Sequence, residues 1–307
     1  MHTGFFTHAQ CAAHEMGSWH PESPERLAAV HDHLIAVGLL PHLLPFDAPR
    51  AELEAVARAH DRGYIERLRD RVPKQGYAPV DPDTSMNPAS WDAALYAAGA
   101  VIDATDRVIR GELNNAFCAV RPPGHHACRA AAMGFCFFNN VAIGALHALA
   151  AHGLRRVAVI DFDVHHGNGT EDILAGDART LMASFFQHPF YPYSGTDFAA
   201  DNMVNVPVPA GTRGDVVREL VASQWLPRLD AFAPQMIFIS AGFDAHREDD
   251  LGQMGLVESD YAWITQRLME VADRHAGGRI VSTLEGGYNL SALGRSVAAH
   301  VRVLAQL

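Results

Sequence analysis

Four short apolar runs, at residues 115–120, 157–160, 235–240 and 279–284, each break off into a polar, glycine-bearing turn, and helical stretches lie between them. This alternation constrains the fold more than any other feature of the chain. The runs are too short for helices. Their continuous apolar character marks strands buried on both faces, which is the pattern of a parallel sheet covered by helices. Residues 3–6, 181–186 and 203–208 read as further strands. Nothing resembles a linker between two cores, so the expectation is a single α/β domain over residues 1–307.

The first long helix has Ser23 as N-cap and Pro24 at its first position, an apolar stripe of Leu27, Val30, Leu34 and Val37, and a stop at Gly38. Before it, His20, Glu22, Glu25 and Arg26 are packed between prolines and predict structural ion pairing. Two short helical pieces follow at 53–59 and 64–68. An Ala-rich helix runs from Asn87-Pro88 to about Arg110, and later ones cover 141–151, 215–229 despite Pro227, 259–274 and 290–304. The stretches 72–88 and 187–202 lack periodicity and read as loops that shape a site. Asp81 and Asp83, in the first of them, read as solvated loop carboxylates.

Composition excludes some functions. A formal net charge of −11 and a single lysine, Lys74, argue against a nucleic-acid surface. No apolar run approaches the roughly 20 residues that span a bilayer. The segment Met1-His-Thr-Gly-Phe-Phe6 lacks the charged and apolar regions of a signal peptide, so a soluble, cytoplasmic protein is expected. Cys11, Cys118, Cys128 and Cys136 form no C-x-x-C pair and read as reduced thiols.

Ligands of such sheets bind beyond the carboxyl ends of the strands. There the chain places Arg121-Pro-Pro-Gly-His-His-Ala127, Asp161-Phe-Asp-Val-His-His-Gly-Asn-Gly-Thr170, Ala241-Gly-Phe-Asp244 and Glu285-Gly-Gly-Tyr288. If strand 157–160 stays extended a little further, Asp161, Asp163 and His165 project to one side. Buried carboxylates need compensation, and a divalent cation is the simplest source. Asp163, His165 and Asp244 make a set of two oxygens and one nitrogen with positions left open. Zinc suits it, while ferrous iron, cobalt and manganese accept the same donors. His126 is the candidate base for an activated water, His125 pairs with Asp161, and the two imidazoles should differ in pKa. The Tyr288 phenol could donate to a developing oxyanion.

These motifs, with His20-Pro-Glu-Ser-Pro-Glu-Arg26 and Gly134-Phe-Cys-Phe-Phe-Asn139, resemble those of the zinc-dependent histone deacetylases and the related bacterial acetylpolyamine amidohydrolases, and look closer to class II than to class I. The resemblance implies the arginase-like α/β fold of that family, a central parallel sheet with helices on both faces. It implies zinc on Asp163, His165 and Asp244, His126 as general base, His125 as its electrostatic partner and Tyr288 as carbonyl-polarising donor. Gly134, Phe135 and Tyr191 would contact the acyl-lysine. A monovalent cation, usually potassium, would sit at Asp161 and Ser184 beside Asp163 and His165.

Three positions depart from the class I or polyamine-selective patterns. Asn168 stands where class I enzymes have an aspartate behind the base, Tyr191 replaces a phenylalanine of the channel wall, and Leu251 takes the place of a glutamate that selects polyamines. The expected activity is removal of acetyl or other short acyl groups from lysine side chains, in a peptide or protein. An acetylpolyamine or another small N-acyl amine is the alternative substrate. A non-catalytic acyl-lysine-binding module and an arginase-like hydrolase with two manganese ions are the readings from outside this chemistry. Oligomeric state is left open.

Overall fold

The computed structural model describes residues 2–197 and 200–307. Met1, Phe198 and Ala199 lie outside the described residues, and with them the first residue of the Met1–Phe6 segment and part of the 187–202 loop. The described residues form ten strands: β1 (Thr3–Thr7), β2 (Leu44–Asp47), β3 (Ala78–Pro79), β4 (Ser85–Met86), β5 (Asn115–Cys118), β6 (Val157–Asp161), β7 (Thr180–Gln187), β8 (Met203–Val208), β9 (Met236–Ala241) and β10 (Ile280–Leu284). Eight form one parallel sheet in the order β2-β1-β5-β10-β9-β6-β7-β8. β3 and β4 make a small antiparallel hairpin within the 72–88 stretch, which the sequence presents as structureless.

Every residue of β5, β6, β7, β9 and β10 is buried, so their apolar runs reflect helices on both faces. One face packs on the helices Ser90–Ile109 and Asn140–Ala151, and the other on Glu25–Ala36, Glu258–His275 and Leu290–Leu304. Asn139 and Asn289 cap two of these helices, their side chains accepting from the Ala142 and Ala292 N–H groups at 3.0 Å. β2 has no apolar signature because it is an edge strand containing Pro45, with most of its residues exposed.

Two local expectations are corrected. The first long helix begins at Glu25 with Pro24 as its cap, one residue later than the sequence suggests, and Val37 is exposed while Arg26 takes a buried position. Helix 215–229 is present, but a π-helical turn at Val221–Trp225 precedes Pro227 and breaks the regular ladder next to the residue that lacks an N–H.

The sheet order decides where the site lies. β5, β10, β9 and β6 are adjacent in the middle of the sheet, and each of the four polar motifs leaves the carboxyl end of one of them.

Candidate active site

β6 ends at Asp161, so Asp163 and His165 stand on a bend and not on a continued strand. Short hydrogen bonds fold that bend. Asp161 Oδ1 accepts from the Asp163 N–H at 3.1 Å, Asp163 Oδ1 from the His165 N–H at 2.9 Å, and Asp244 Oδ1 from the Val164 N–H at 2.9 Å. His165 Nδ1 then lies 3.0 Å from Asp163 Oδ1 and 3.3 Å from Asp244 Oδ2. Backbone closes tightly around the trio. A Cβ on Gly242 would sit 2.0 Å from Asp163 Oδ2, and one on Gly286 would sit 2.0 Å from Asp244 Oδ2.

The residues fit a divalent cation. One donor atom from each of Asp163, His165 and Asp244 lies within a 4.8 Å cluster, and all three residues are buried. Among the described residues Asp244 Oδ2 has no partner in hydrogen-bond geometry, only the His165 ring nitrogen at 3.3 Å, a costly state for a buried carboxylate oxygen unless a cation meets it. Burial and the Asp163 charge together push the Asp244 carboxyl up to about 7, while His165 only partly offsets them. Two carboxylates share one imidazole, and a metal would relieve the deficit. A donor set of two oxygens and one nitrogen suits zinc, iron(II) and cobalt alike.

His125 and His126 sit side by side, with ring centroids 4.0 Å apart, in different surroundings. His125 Nδ1 is 2.9 Å from Asp161 Oδ2. Burial opposes charge on its ring, but Asp163 and Asp161 outweigh burial and raise its pKa well above the usual value. At His126, burial and the neighbouring His125 and His165 all act in the other direction and keep the ring neutral. Asn168 Oδ1 is 2.7 Å from His126 Nδ1. Glu285 holds this loop against the sheet, its Oε2 accepting from the Gly124 and His125 N–H groups at 2.6 and 3.1 Å and its Oε1 from Ser240 Oγ at 3.0 Å.

A cavity of about 320 Å³ opens onto this cluster and is lined by His126, Gly134, Phe135, His165, Phe190, Tyr191, Leu251 and Tyr288, with Asp83 and Asp250 beside them. Gly134 has φ +56° and its absent Cβ would fall 2.5 Å from the His126 ring, so no other residue fits there without displacing the imidazole. Phe135 also has a positive φ, +69°, a cost of order 1 kcal/mol for a non-glycine residue that is characteristic of ligand-contacting turns. Its ring meets Tyr288 edge-on at 6.0 Å. Tyr191 stands edge-on to His126 at 5.3 Å, and Phe190 stacks on His165 at 5.5 Å. The Arg26 guanidinium lies 4.9 Å from the Tyr288 ring centre. Burial raises the Tyr288 pKa well above the usual phenol value, Asp244 and Asp163 add to this, and Arg26 only tempers it, so the phenol keeps its proton.

Ser184 pairs in register with Asp161 across β6 and β7, and its buried Oγ has no hydrogen-bond partner among the described residues.

A model of the histone deacetylase domain matches residues 20–304. The chain belongs to the histone deacetylase family. It is 38% identical over 277 residues to a histone deacetylase-like amidohydrolase of Pseudomonas aeruginosa, an alignment covering 88% of this chain and 73% of that one. Against the human polyamine deacetylase HDAC10 the identity is 36% over 302 residues, 92% of this chain but 44% of that protein. The crystal structure of the HDA15 HD domain superposes with a TM-score of 0.94 at 34% identity, covering 99% of this chain and 90% of that one. The eight-stranded sheet with its flanking helices is the fold of this family.

Several site residues carry no sequence signal of their own. Phe190 adjoins the Tyr191 already singled out, yet only the folded loop shows it over His165. Asp249, in a charged run, accepts from the Tyr288 and Asn289 N–H groups at 2.6 and 2.9 Å and so fixes the turn that carries the phenol. Asp83, exposed in its loop as expected, also lines the cavity. Among the described residues no helix is long and apolar enough to cross a membrane.

Proposed function

We propose that this histone deacetylase-family amidohydrolase removes acetyl or other short acyl groups from lysine side chains, as a single domain over residues 1–307 with one divalent ion, zinc for preference, on Asp163, His165 and Asp244. The observation that carries the reading is the convergence of that buried ligand set, with its unpartnered Asp244 Oδ2, on the floor of a cavity that His126 and Tyr288 also face. A divalent ion there supplies Lewis acidity to the amide carbonyl and acidity to water. The chain's own groups do the remainder. His126, neutral and free at Nε2, takes the proton of the attacking water, and His125, held charged by Asp163 and Asp161, stabilises negative charge building nearby. The Tyr288 phenol donates to the carbonyl oxygen as it becomes an oxyanion. His126, once protonated, returns its proton to the departing amine. Phe135, Phe190 and Tyr191 enclose an apolar acyl-amine stem, and the Gly134 carbonyl is the acceptor for its N–H. Potassium at Asp161, Ser184, Asp163 and His165 would occupy the second site. A binding module would need neither a base nor an oxyanion donor.

A second substrate reading has its own support. Asp83 and Asp250 at the cavity mouth favour a substrate with a second positive charge, such as a small N-acylated polyamine, while the apolar Leu251 beside them favours a neutral chain. The zinc-loaded protein should release acetate from an acetyl-lysine peptide with a higher kcat/KM than from N-acetylputrescine. His126→Ala and Tyr288→Phe should each lower kcat by roughly 10²-fold or more. A preference for the polyamine would transfer the function to the second reading. Full activity in both variants would refute the mechanism.

A further inference from the structure

Asn168 differs from a carboxylate in having two unlike ends, and the structure holds each end differently. Oδ1 faces His126 Nδ1 at 2.7 Å. Nδ2 donates to two sulfurs, Met133 Sδ at 3.3 Å and Cys128 Sγ at 3.4 Å. A thioether has no proton and can only accept. The Cys128 thiol directs its own proton to the His126 carbonyl, 3.6 Å away, and so presents lone pairs to the amide. Burial pushes that thiol up to about 11, which keeps it in the S–H form this arrangement requires.

Turned over, the amide would set its oxygen against Met133 Sδ, which has no proton to give, would gain a donor only if the Cys128 thiol gave up the His126 carbonyl, and would point an N–H at His126 Nδ1. The two sulfurs therefore select one of two sterically equivalent orientations. The choice reaches the imidazole. An amide oxygen at Nδ1 requires the proton on Nδ1 and leaves Nε2 with a free lone pair, whereas an amide N–H at Nδ1 requires the opposite tautomer, in which Nε2 cannot accept a proton. Neither sulfur lines the cavity, so neither can act by touching substrate.

We propose that Met133 and Cys128 are positioning residues which, through the amide of Asn168, hold His126 in the tautomer able to act as a base. The inference rests on His126 being the general base of the proposed reaction. It also distinguishes this chain from one with aspartate at residue 168, where both oxygens accept and no orientation has to be chosen.

The test is a cycle of Met133→Leu with Cys128→Ala, made in the protein with Asn168 and again with Asn168→Asp. Leucine nearly conserves the volume of methionine, so the fold should persist. The first readout is the ¹⁵N shifts of the His126 ring in metal-free protein. With both sulfurs present the ring is protonated at Nδ1 alone. Removing both should introduce a population protonated at Nε2, and Cys128→Ser should largely prevent it. With aspartate at 168 the sulfur changes should leave the tautomer untouched. The second readout is turnover of an acetyl-lysine peptide, where the sulfur pair should be worth about fivefold in kcat with Asn168 and under about twofold with Asn168→Asp, a coupling typical of groups in contact. An unchanged tautomer after loss of both sulfurs overturns the proposal, as does an equal fall in kcat in both backgrounds, which would mean ordinary packing. A tautomer shift in a protein that hydrolyses no acyl amine would uphold the positioning and remove the deacetylase reading instead.

Discussion

Asp163, His165 and Asp244 are held by backbone as much as by their own side chains, and glycine makes this possible. Gly286 donates its N–H to Asp163 Oδ2 at 2.9 Å, and a Cβ on it would lie 2.0 Å from Asp244 Oδ2 and 2.7 Å from Asp163 Oδ2. Gly286→Ala should therefore weaken zinc binding by about tenfold or more, the usual scale for disturbing groups that orient metal ligands, as calorimetric titration would show. Unchanged affinity would mean that the carboxylates adapt freely. At this scale the sequence was most informative where chemistry is concentrated in short motifs. Paired aspartates and histidines at the end of an apolar run identify a candidate ligand set before any coordinates exist. Asp249, Glu285 and Phe190 were less legible because their contribution is a contact with backbone or rings distant in sequence. The hydrogen bond from Gly124 to Glu285 spans 161 residues, and no local pattern encodes it.

The element that ties the site to its surroundings is the segment before the helix Glu25–Ala36. Glu22 is fully buried between two arginines, pairing with Arg26 Nη1 at 3.0 Å and with Arg121 through both of its carboxylate oxygens. Arg26 continues to the Gly287 and Glu285 carbonyls at 2.7 and 2.5 Å, directly behind Tyr288. Burial alone would raise the Glu22 carboxyl, but Arg121 and Arg26 outweigh it and hold it at about 2. A carboxyl depressed from 4.5 to about 2 contributes stability that is complete above pH 4.5 and disappears as pH falls toward 2. Glu22→Gln strands two buried guanidinium groups and should cost roughly 3–5 kcal/mol near neutral pH, measured by urea unfolding, with the difference from wild type shrinking through that acid window. A constant difference between pH 6 and pH 2 would contradict the assignment. Ion pairing was readable from the cluster of charges between prolines. The partner Arg121, some 100 residues away, was not, and neither was edge strand β2, whose Pro45 and exposed residues give no strand signal.

For the molecule as a whole, the sheet order is what assembles the site. β5, β10, β9 and β6 are neighbours in space although 115 and 284 are far apart in sequence, so the ligand cluster forms only when the central sheet has closed. Metal binding at the proposed ligand set would in consequence be linked to global folding. Zinc at 100 times its dissociation constant should stabilise the native state by about 2.7 kcal/mol and raise Tm, and Asp244→Ala should abolish the rise. The alternation of buried strands and helices was legible throughout because it follows from covering both sheet faces. The order of the strands was not, since it is decided by crossovers that leave no trace in hydrophobic pattern. The most direct measurement is acetate release from an acetyl-lysine peptide by protein stripped of metal and then titrated with zinc. Activity that is absent at first, rises to a plateau at one equivalent and fails to return in Asp244→Ala is the predicted result. Undiminished hydrolysis by the stripped protein, or a plateau only at two equivalents, would contradict a single-ion amidohydrolase.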